Sequence, residues 1–284
     1  MENIKIHVFH TGEVCVAPEL PFGGEHCSAV KASGIFNKAE NRLWIPVSAY
    51  LIECRHGKIL FDCGWHRNMS PEGEYDKAAQ IKSLGSWALY KTNQGRIGKG
   101  KAIDEQLEKL GIQPESLDMV LLSHLDCDHV NGLKLVKAAK KILVSNAELE
   151  FAKKKNPVNM IRYNSDWWEG TDIEGFDWND TEGPVGKSYD VFGDGSFQMI
   201  NIPGHSDGLC ALKIKNSQGK YVLLFSDGGY AEKSWKEMIT SGIADDKKAQ
   251  KKSLEWIREQ SLNDSCKESL ANHDKDIEPH IISL

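Results

Sequence analysis

The chain has 284 residues, of which 40% are hydrophobic and 27% charged, enough for a sizeable core under an ordinary charged surface; disorder, collagen and coiled coil are excluded. Its 35 Lys and Arg against 41 Asp and Glu give a formal net charge of -6, without the basic excess of a protein whose main partner is a phosphate backbone, so no nucleic acid is expected. The 7 cysteines are odd in number, scattered and free of any Cys-x-x-Cys pair, which argues against a disulfide framework and a zinc ribbon.

From the N-terminus, residues 4–9 alternate apolar and polar side chains and predict a strand. No signal-peptide apolar region is visible there, so a cytoplasmic protein is expected. No apolar run approaches the roughly 20 residues needed to cross a bilayer, and no membrane association is expected. Residues 45–54 and 58–61, joined by the turn-like Arg55-His56-Gly57, continue as a hairpin meander. Ile103, Leu107 and Leu110 share one helical face, which Gly111 ends. Residues 119–122 are too short for a helix and read as a buried strand; a helix is predicted over 132–140, a strand over 142–144 and a further helix from Ala147. Between Lys155 and Ser196 the periodicity disappears, and this irregular insertion holds Trp167, Trp168 and Trp178. Those tryptophans either wall an apolar acyl-chain pocket, pack the loop onto the core or form a subunit interface. Strands return at 197–202, 211–215 and 221–225, and a polar helix is predicted from Asp245 to about Leu262. No repeat or linker divides the chain, so residues 1–284 are expected to form one α/β domain with an insertion at about 155–196, its sheets packed on each other and its helices outside.

The chemistry concentrates in residues 122–132, Leu-Ser-His-Leu-Asp-Cys-Asp-His-Val-Asn-Gly. His124, Asp126, Asp128 and His129 stand at a junction between a buried strand and a helix, where irregular backbone lets polar groups converge. An Asp or His at a helix N-terminus can simply cap it, but capping needs one or two such groups and this stretch supplies four. Dense His and carboxylate clusters are ligand sets for divalent metals. Further candidates each follow a strand or strand-like run: His205 in Pro203-Gly204-His205, Asp227 in Ser226-Asp227-Gly228-Gly229-Tyr230, and His273 in Asn272-His273-Asp274. Cys127, between two candidate ligands, is read as a buried thiol turned away from them, and Cys63 as packing.

The order His-x-[His]-x-Asp-His, then Gly-His, then Asp, then His, resembles the metallo-β-lactamase superfamily of dinuclear metal hydrolases, and within it the N-acyl homoserine lactonase group. The similarity extends from residues 46–64 (PVSAYLIECRHGKILFDCG) through 110–132 and 203–208 to His273-Asp274, and is weakest over 155–196. It implies a four-layer αβ/βα sandwich with the metals at one edge. It also implies one metal held by His124, Asp126 and His205, a second by Asp128, His129 and His273, and Asp227 bridging them. Tyr230 matches the position of a phenol that hydrogen-bonds the substrate carbonyl. The family carries His where this chain has Asp126, although the flavodiiron branch carries Glu there. Three carboxylates and a bridging hydroxide would cancel two divalent ions, where the His version leaves one positive charge. The expected consequence is a higher pH optimum than that of the His version of the site, or a preference for a harder or trivalent metal such as iron or manganese.

The activity so implied is hydrolysis of an ester-like bond in a small molecule, first of all a lactone such as an N-acyl homoserine lactone, by attack of a metal-bridging hydroxide. In that scheme Tyr230 steadies the oxyanion and Asp128 shuttles the proton. Thioesterases of the glyoxalase II type and phosphodiester or organophosphate hydrolases share the ligand set. A di-iron redox metalloprotein and a sensor that keeps the fold without turnover are the non-hydrolytic alternatives.

Overall fold

A computed structural model describes residues 4–284, and the first three residues of the expected domain lie outside it. Among the described residues the strands are β1 (Lys5–Val16), β2 (Leu43–Cys54), β3 (Gly57–Phe61), β4 (Gln94–Arg96), β5 (Met119–Leu121), β6 (Ile142–Ser145), β7 (Ile173–Phe176), β8 (Ser188–Asp190), β9 (Phe197–Asn201), β10 (Cys210–Lys215), β11 (Tyr221–Ser226), β12 (Cys266–Ala271) and β13 (Ile281–Ser283). They form an eight-stranded sheet ordered β13-β1-β2-β3-β5-β6-β7, with β4 also paired to β1, and a five-stranded sheet ordered β12-β11-β10-β9-β8.

Period-two alternation decides which face each strand buries. Ile6, Val8, Tyr50, Ile52, Ile59, Phe61, Leu121 and Leu143 of the first sheet meet Phe197, Met199, Leu212, Ile214, Val222 and Leu224 of the second. On the outer face of the first sheet Leu51, Leu60, Val120 and Val144 pack with Leu84, Ile103, Leu107 and Phe151, which come from helices. On the outer face of the second, Ile200, Ala211, Leu223 and Phe225 pack with Leu254 and Ile257 of the helix Lys247–Ser261. These three apolar layers between four layers of secondary structure make the αβ/βα sandwich that the resemblance implied.

Register explains where the site forms. β3 and β5 run parallel with Phe61 opposite Leu121, so Asp62 and the 122–132 stretch leave the first sheet at the same edge. β11 and β12 are also parallel, with Ser226 opposite Ala271, so Asp227 and His273 emerge side by side from the second. Ser226 Oγ donates to Ser123 Oγ at 2.9 Å, which joins the two sheet edges.

Two expectations change. The predicted helix at 132–140 shortens to a 3-10 turn, Asn131–Leu135. Its Gly132 lies against backbone, where a Cβ would come within 2.4 Å of the Cys63 carbonyl oxygen, and its N–H bonds Gly64 rather than a helical partner. Residues 155–196 are also more regular than expected: they contain the helix Pro157–Arg162 and supply β7 and β8, the edge strands of the two sheets. Edge strands this short carry too little alternation to be recognised from sequence.

Phe61 is wholly buried between the sheets. Phe61→Ala is expected to cost about 3–5 kcal/mol, read as a lower denaturant midpoint with an unchanged slope.

Candidate metal centre

The seven candidate ligands lie on loops and a one-turn helix that follow strand ends, and all converge. His124, Asp126 and His205 form one group, and Asp128, His129 and His273 a second; within each group one ligand atom per residue lies within 4.8 Å of the others. Asp227 stands between them. Its Oδ2 is 3.6 Å from His205 Nε2, while its Oδ1 is 3.3 Å from His129 Nε2 and 3.1 Å from His273 Nε2. The two oxygens of one carboxylate therefore face different groups.

The local backbone shows how the sequence achieves this. After β5 the chain turns through Ser123 and His124 into the one-turn helix Cys127–Val130, with Asp126 at its N-cap position. The Asp126 carboxylate makes no capping bond, so capping does not account for it. Helical rather than extended geometry takes the Cys127 side chain into the apolar core beneath the site, a different route to the burial expected of it. Gly204, with φ of 138°, lets the loop carrying His205 press against the backbone of Gln250, where a Cβ would come within 2.3 Å of its nitrogen.

Three of the four imidazoles are oriented from behind. His129 Nδ1 is 2.9 Å from Asp62 Oδ2, His273 Nδ1 donates to the Pro46 carbonyl at 2.8 Å, and His124 Nδ1 is 2.9 Å from Ser123 Oγ. That leaves the Nε2 atoms of all three, together with Asp227 Oδ1, buried and without a hydrogen-bond partner. Orphaned buried polar atoms are rare because each costs its full desolvation penalty. Here they point at one another, and a divalent cation satisfies such a set through imidazole and carboxylate ligands. Burial opposes the charged forms of His129 and His273, yet the Asp227 carboxylate beside both raises them, a sign of strong negative potential. The donor set thus fits divalent metal.

Two residues with no assigned role in the sequence reading belong to the site. Asp62, fully buried with φ of 60°, accepts from Ser123 N at 2.8 Å, Ser123 Oγ at 2.7 Å and Asn272 Nδ2 at 3.1 Å in addition to facing His129. An acid placed between a strand and a glycine, as in Phe61-Asp62-Cys63-Gly64, was the available signal. Arg162 is the other. Its Nε donates to Asp126 Oδ1 at 2.5 Å, its Nη2 to Asp126 Oδ2 at 2.7 Å, and its Nη1 to the His205 carbonyl at 3.0 Å. Nothing in the local pattern of residues 157–162 announced that contact with a residue 36 positions earlier. Burial would raise Asp126, but Arg162, with His124 and His205 after it, holds it well below the usual carboxylate range. Burial also disfavours the guanidinium charge, and Asp126 outweighs this and keeps Arg162 firmly protonated. His205 is shifted down, by burial first and by Arg162 next, toward the neutral form that binds metal.

A cavity of about 210 Å³ opens onto this centre. Asp126, Asp128, Asp227, Arg162, His205 and Tyr230 form its polar end, and Val14, Val16, Leu20, Leu89, Ile161 and Ile243 its walls. The Tyr230 ring stacks on His273 with centroids 5.1 Å apart. Burial, and after it the carboxylates of Asp227, Asp128 and Asp126, push its phenol well above the ordinary value, so it remains a proton donor at neutral pH. The three tryptophans of the insertion do not wall this cavity. Trp167 donates to the Ser83 carbonyl at 3.0 Å, Trp168 packs edge-on against it, and Trp178 packs on Phe176. His7, His66 and His280 bond Glu53, the Asn68 amide and Glu268, away from the centre.

Asp62→Ala is expected to lower metal affinity about 10- to 100-fold, measured by competition with a chromophoric chelator, because His129 loses the group that fixes its orientation.

The family model for the metallo-beta-lactamase superfamily matches residues 42–219. The N-acyl homoserine lactonase AttM of Rhizobium radiobacter is 27% identical over 208 residues, which cover 70% of this chain and 71% of that protein. An N-acyl homoserine lactonase of Bacillus cereus is 26% identical over 204 residues, 70% of each chain. Among solved structures, an N-acyl homoserine lactone hydrolase with the product N-hexanoyl-L-homoserine bound at its catalytic metal center superposes with a TM-score of 0.71 at 19% identity, over 96% of this chain and 94% of that one. Among the described residues, no helix is long and apolar enough to cross a membrane.

Proposed function

Because this chain belongs to the metallo-β-lactamase superfamily and is a metal-dependent hydrolase, we propose that its substrate is a lactone, of the N-acyl homoserine lactone class, and that two divalent ions, zinc first among them, serve the reaction. One observation carries the choice of substrate: apart from Thr92 and Asn93, the walls of the cavity that ends on the acidic and histidine side chains are aliphatic. A polar ring that reacts at one end and an acyl chain that needs an apolar channel at the other match that division. Thioesters of glutathione and phosphodiesters fit it less well. The one arginine or lysine among the described residues lining the cavity is Arg162, and its guanidinium is already engaged with Asp126 and the His205 carbonyl.

In this reading His124, Asp126 and His205 hold one ion, Asp128, His129 and His273 the other, and Asp227 serves both. When bound, such ions supply Lewis acidity, which polarises a carbonyl and lowers the pKa of water from about 15.7 toward about 7. The chain's own residues do the rest. Tyr230 donates its phenolic proton in a hydrogen bond to the carbonyl oxygen as negative charge develops there. Asp128, on the open side of the site, takes the proton released as water adds to the carbonyl carbon and passes it to the ring oxygen as the acyl C–O bond breaks. Val14, Val16, Leu20 and Ile161 hold the acyl chain and keep bulk water from it. No protein nucleophile is involved, and burial keeps the thiol of Cys127 protonated by raising it well above its usual value.

The test is hydrolysis by the metal-loaded protein of a panel of N-acyl homoserine lactones, thioesters and phosphodiesters. Lactone opening with KM falling as the acyl chain lengthens is expected; phosphodiester cleavage without lactone turnover overturns the proposal. Tyr230→Phe is expected to lower kcat about 100-fold or more with KM little changed. An unaltered kcat removes Tyr230 from the mechanism.

A further inference from the structure

Asp126 stands where the resemblance implies a histidine, and by itself it would add one negative charge to the centre. The structure supplies the opposite charge from the least matched part of the chain. Helix Pro157–Arg162 is capped by Asn156, whose side chain accepts from Asn159 N at 2.8 Å, and is tied down by Asn159 Nδ2 donating to the Phe151 carbonyl at 2.6 Å. Its last residue, Arg162, forms a two-pronged bond to both oxygens of Asp126, and a third bond fixes the guanidinium to the His205 backbone. The two side chains are 16% and 14% exposed, so solvent screens the pair weakly.

A carboxylate offers about four lone-pair sites, of which this fork occupies two. Asp126 Oδ2 still lies 2.8 Å from His205 Nε2 and 3.5 Å from His124 Nε2, within the group of three that could hold an ion. Asp126 can therefore be clamped by Arg162 and still offer an oxygen to metal. Its negative charge and the positive charge of Arg162 cancel, which makes the pair as neutral as the imidazole it stands in for.

We propose that Asp126 and Arg162 act together as one neutral two-residue ligand at the first metal position, with Arg162 the positioning residue that both aims the carboxylate and offsets its charge. This rests on the metal-centre reading above. It also removes the reason for expecting a raised pH optimum or a harder metal from Asp126 alone, because the missing positive charge is present 36 residues away in sequence.

The test is a reciprocal substitution cycle on the full chain: wild type, Asp126→His, Arg162→Gln, and the double variant. Zinc per chain is read by mass spectrometry and zinc affinity by chelator competition, with circular dichroism to monitor folding. Asp126→His leaves a buried cation unpaired beside the ion, and affinity for one of the two zinc ions should fall at least about 10-fold. The double variant should recover to within about threefold of wild type. Asp126→His binding two zinc ions as tightly as the double variant overturns the proposal. Should Asp126→His not fold, Asp126→Asn takes its place, alone and combined with Arg162→Gln: the combination is expected to bind zinc at least about 10-fold more tightly than Asp126→Asn alone, and equal affinity of the two overturns the proposal. Wild type without bound zinc is a different failure, since it overturns the metal reading itself.

Discussion

Three carboxylates, Asp126, Asp128 and Asp227, converge on one cleft, and that concentration of negative charge is stable only against positive charge of similar density. Two unit charges about 4 Å apart repel by about 4 kcal/mol at the effective dielectric of a protein surface. Much of the local architecture follows from the need to hold them together. Parallel pairing of β3 with β5 and of β11 with β12 brings the four main loops to one edge. Asp62, Pro46 and Ser123 bond the Nδ1 atoms of three histidines, so that their Nε2 atoms face the acids. What remains unsatisfied in the cleft is a set of imidazole and carboxylate atoms that could hold divalent cations.

The layers were legible because the strands stand out in the sequence, residues 4–9 by alternation and residues 58–61 and 221–225 as short apolar runs, and the candidate ligands because each directly follows a strand or strand-like run. What escaped the sequence had a common physical cause. β7 and β8 are too short to show a period, and the 3-10 turn after His129 replaces a helix because Gly132 is pinned against Gly64 by a contact from a distant loop. Arg162 acts through a partner far away in sequence, so no local pattern marked it, and Asp62 offered only the faint signal of an acid between a strand and a glycine. Of the three roles open to the tryptophans, packing is the one the structure shows for Trp167 and Trp168, which lie against the outer face of the first sheet, while the cavity is lined by smaller aliphatic residues from β1, three helices and a loop.

The insertion thereby gains a place in the chemistry by another route. Helix Pro157–Arg162 presents Ile161 to the cavity wall and Arg162 to Asp126, so a single turn of chain touches both the proposed acyl channel and the proposed first metal position. A departure from the family pattern at one ligand and a divergent segment that contacts it are, in this structure, two ends of the same salt bridge.

The central claim is that the cleft holds two ions with Asp227 between them. Anomalous diffraction from crystals of the zinc-loaded protein, collected on both sides of the zinc absorption edge, addresses it most directly. The account predicts two zinc peaks, one among His124, Asp126 and His205 and the other among Asp128, His129 and His273, each within bonding distance of one Asp227 oxygen. A single peak, or zinc bound elsewhere with these residues unligated, would contradict it.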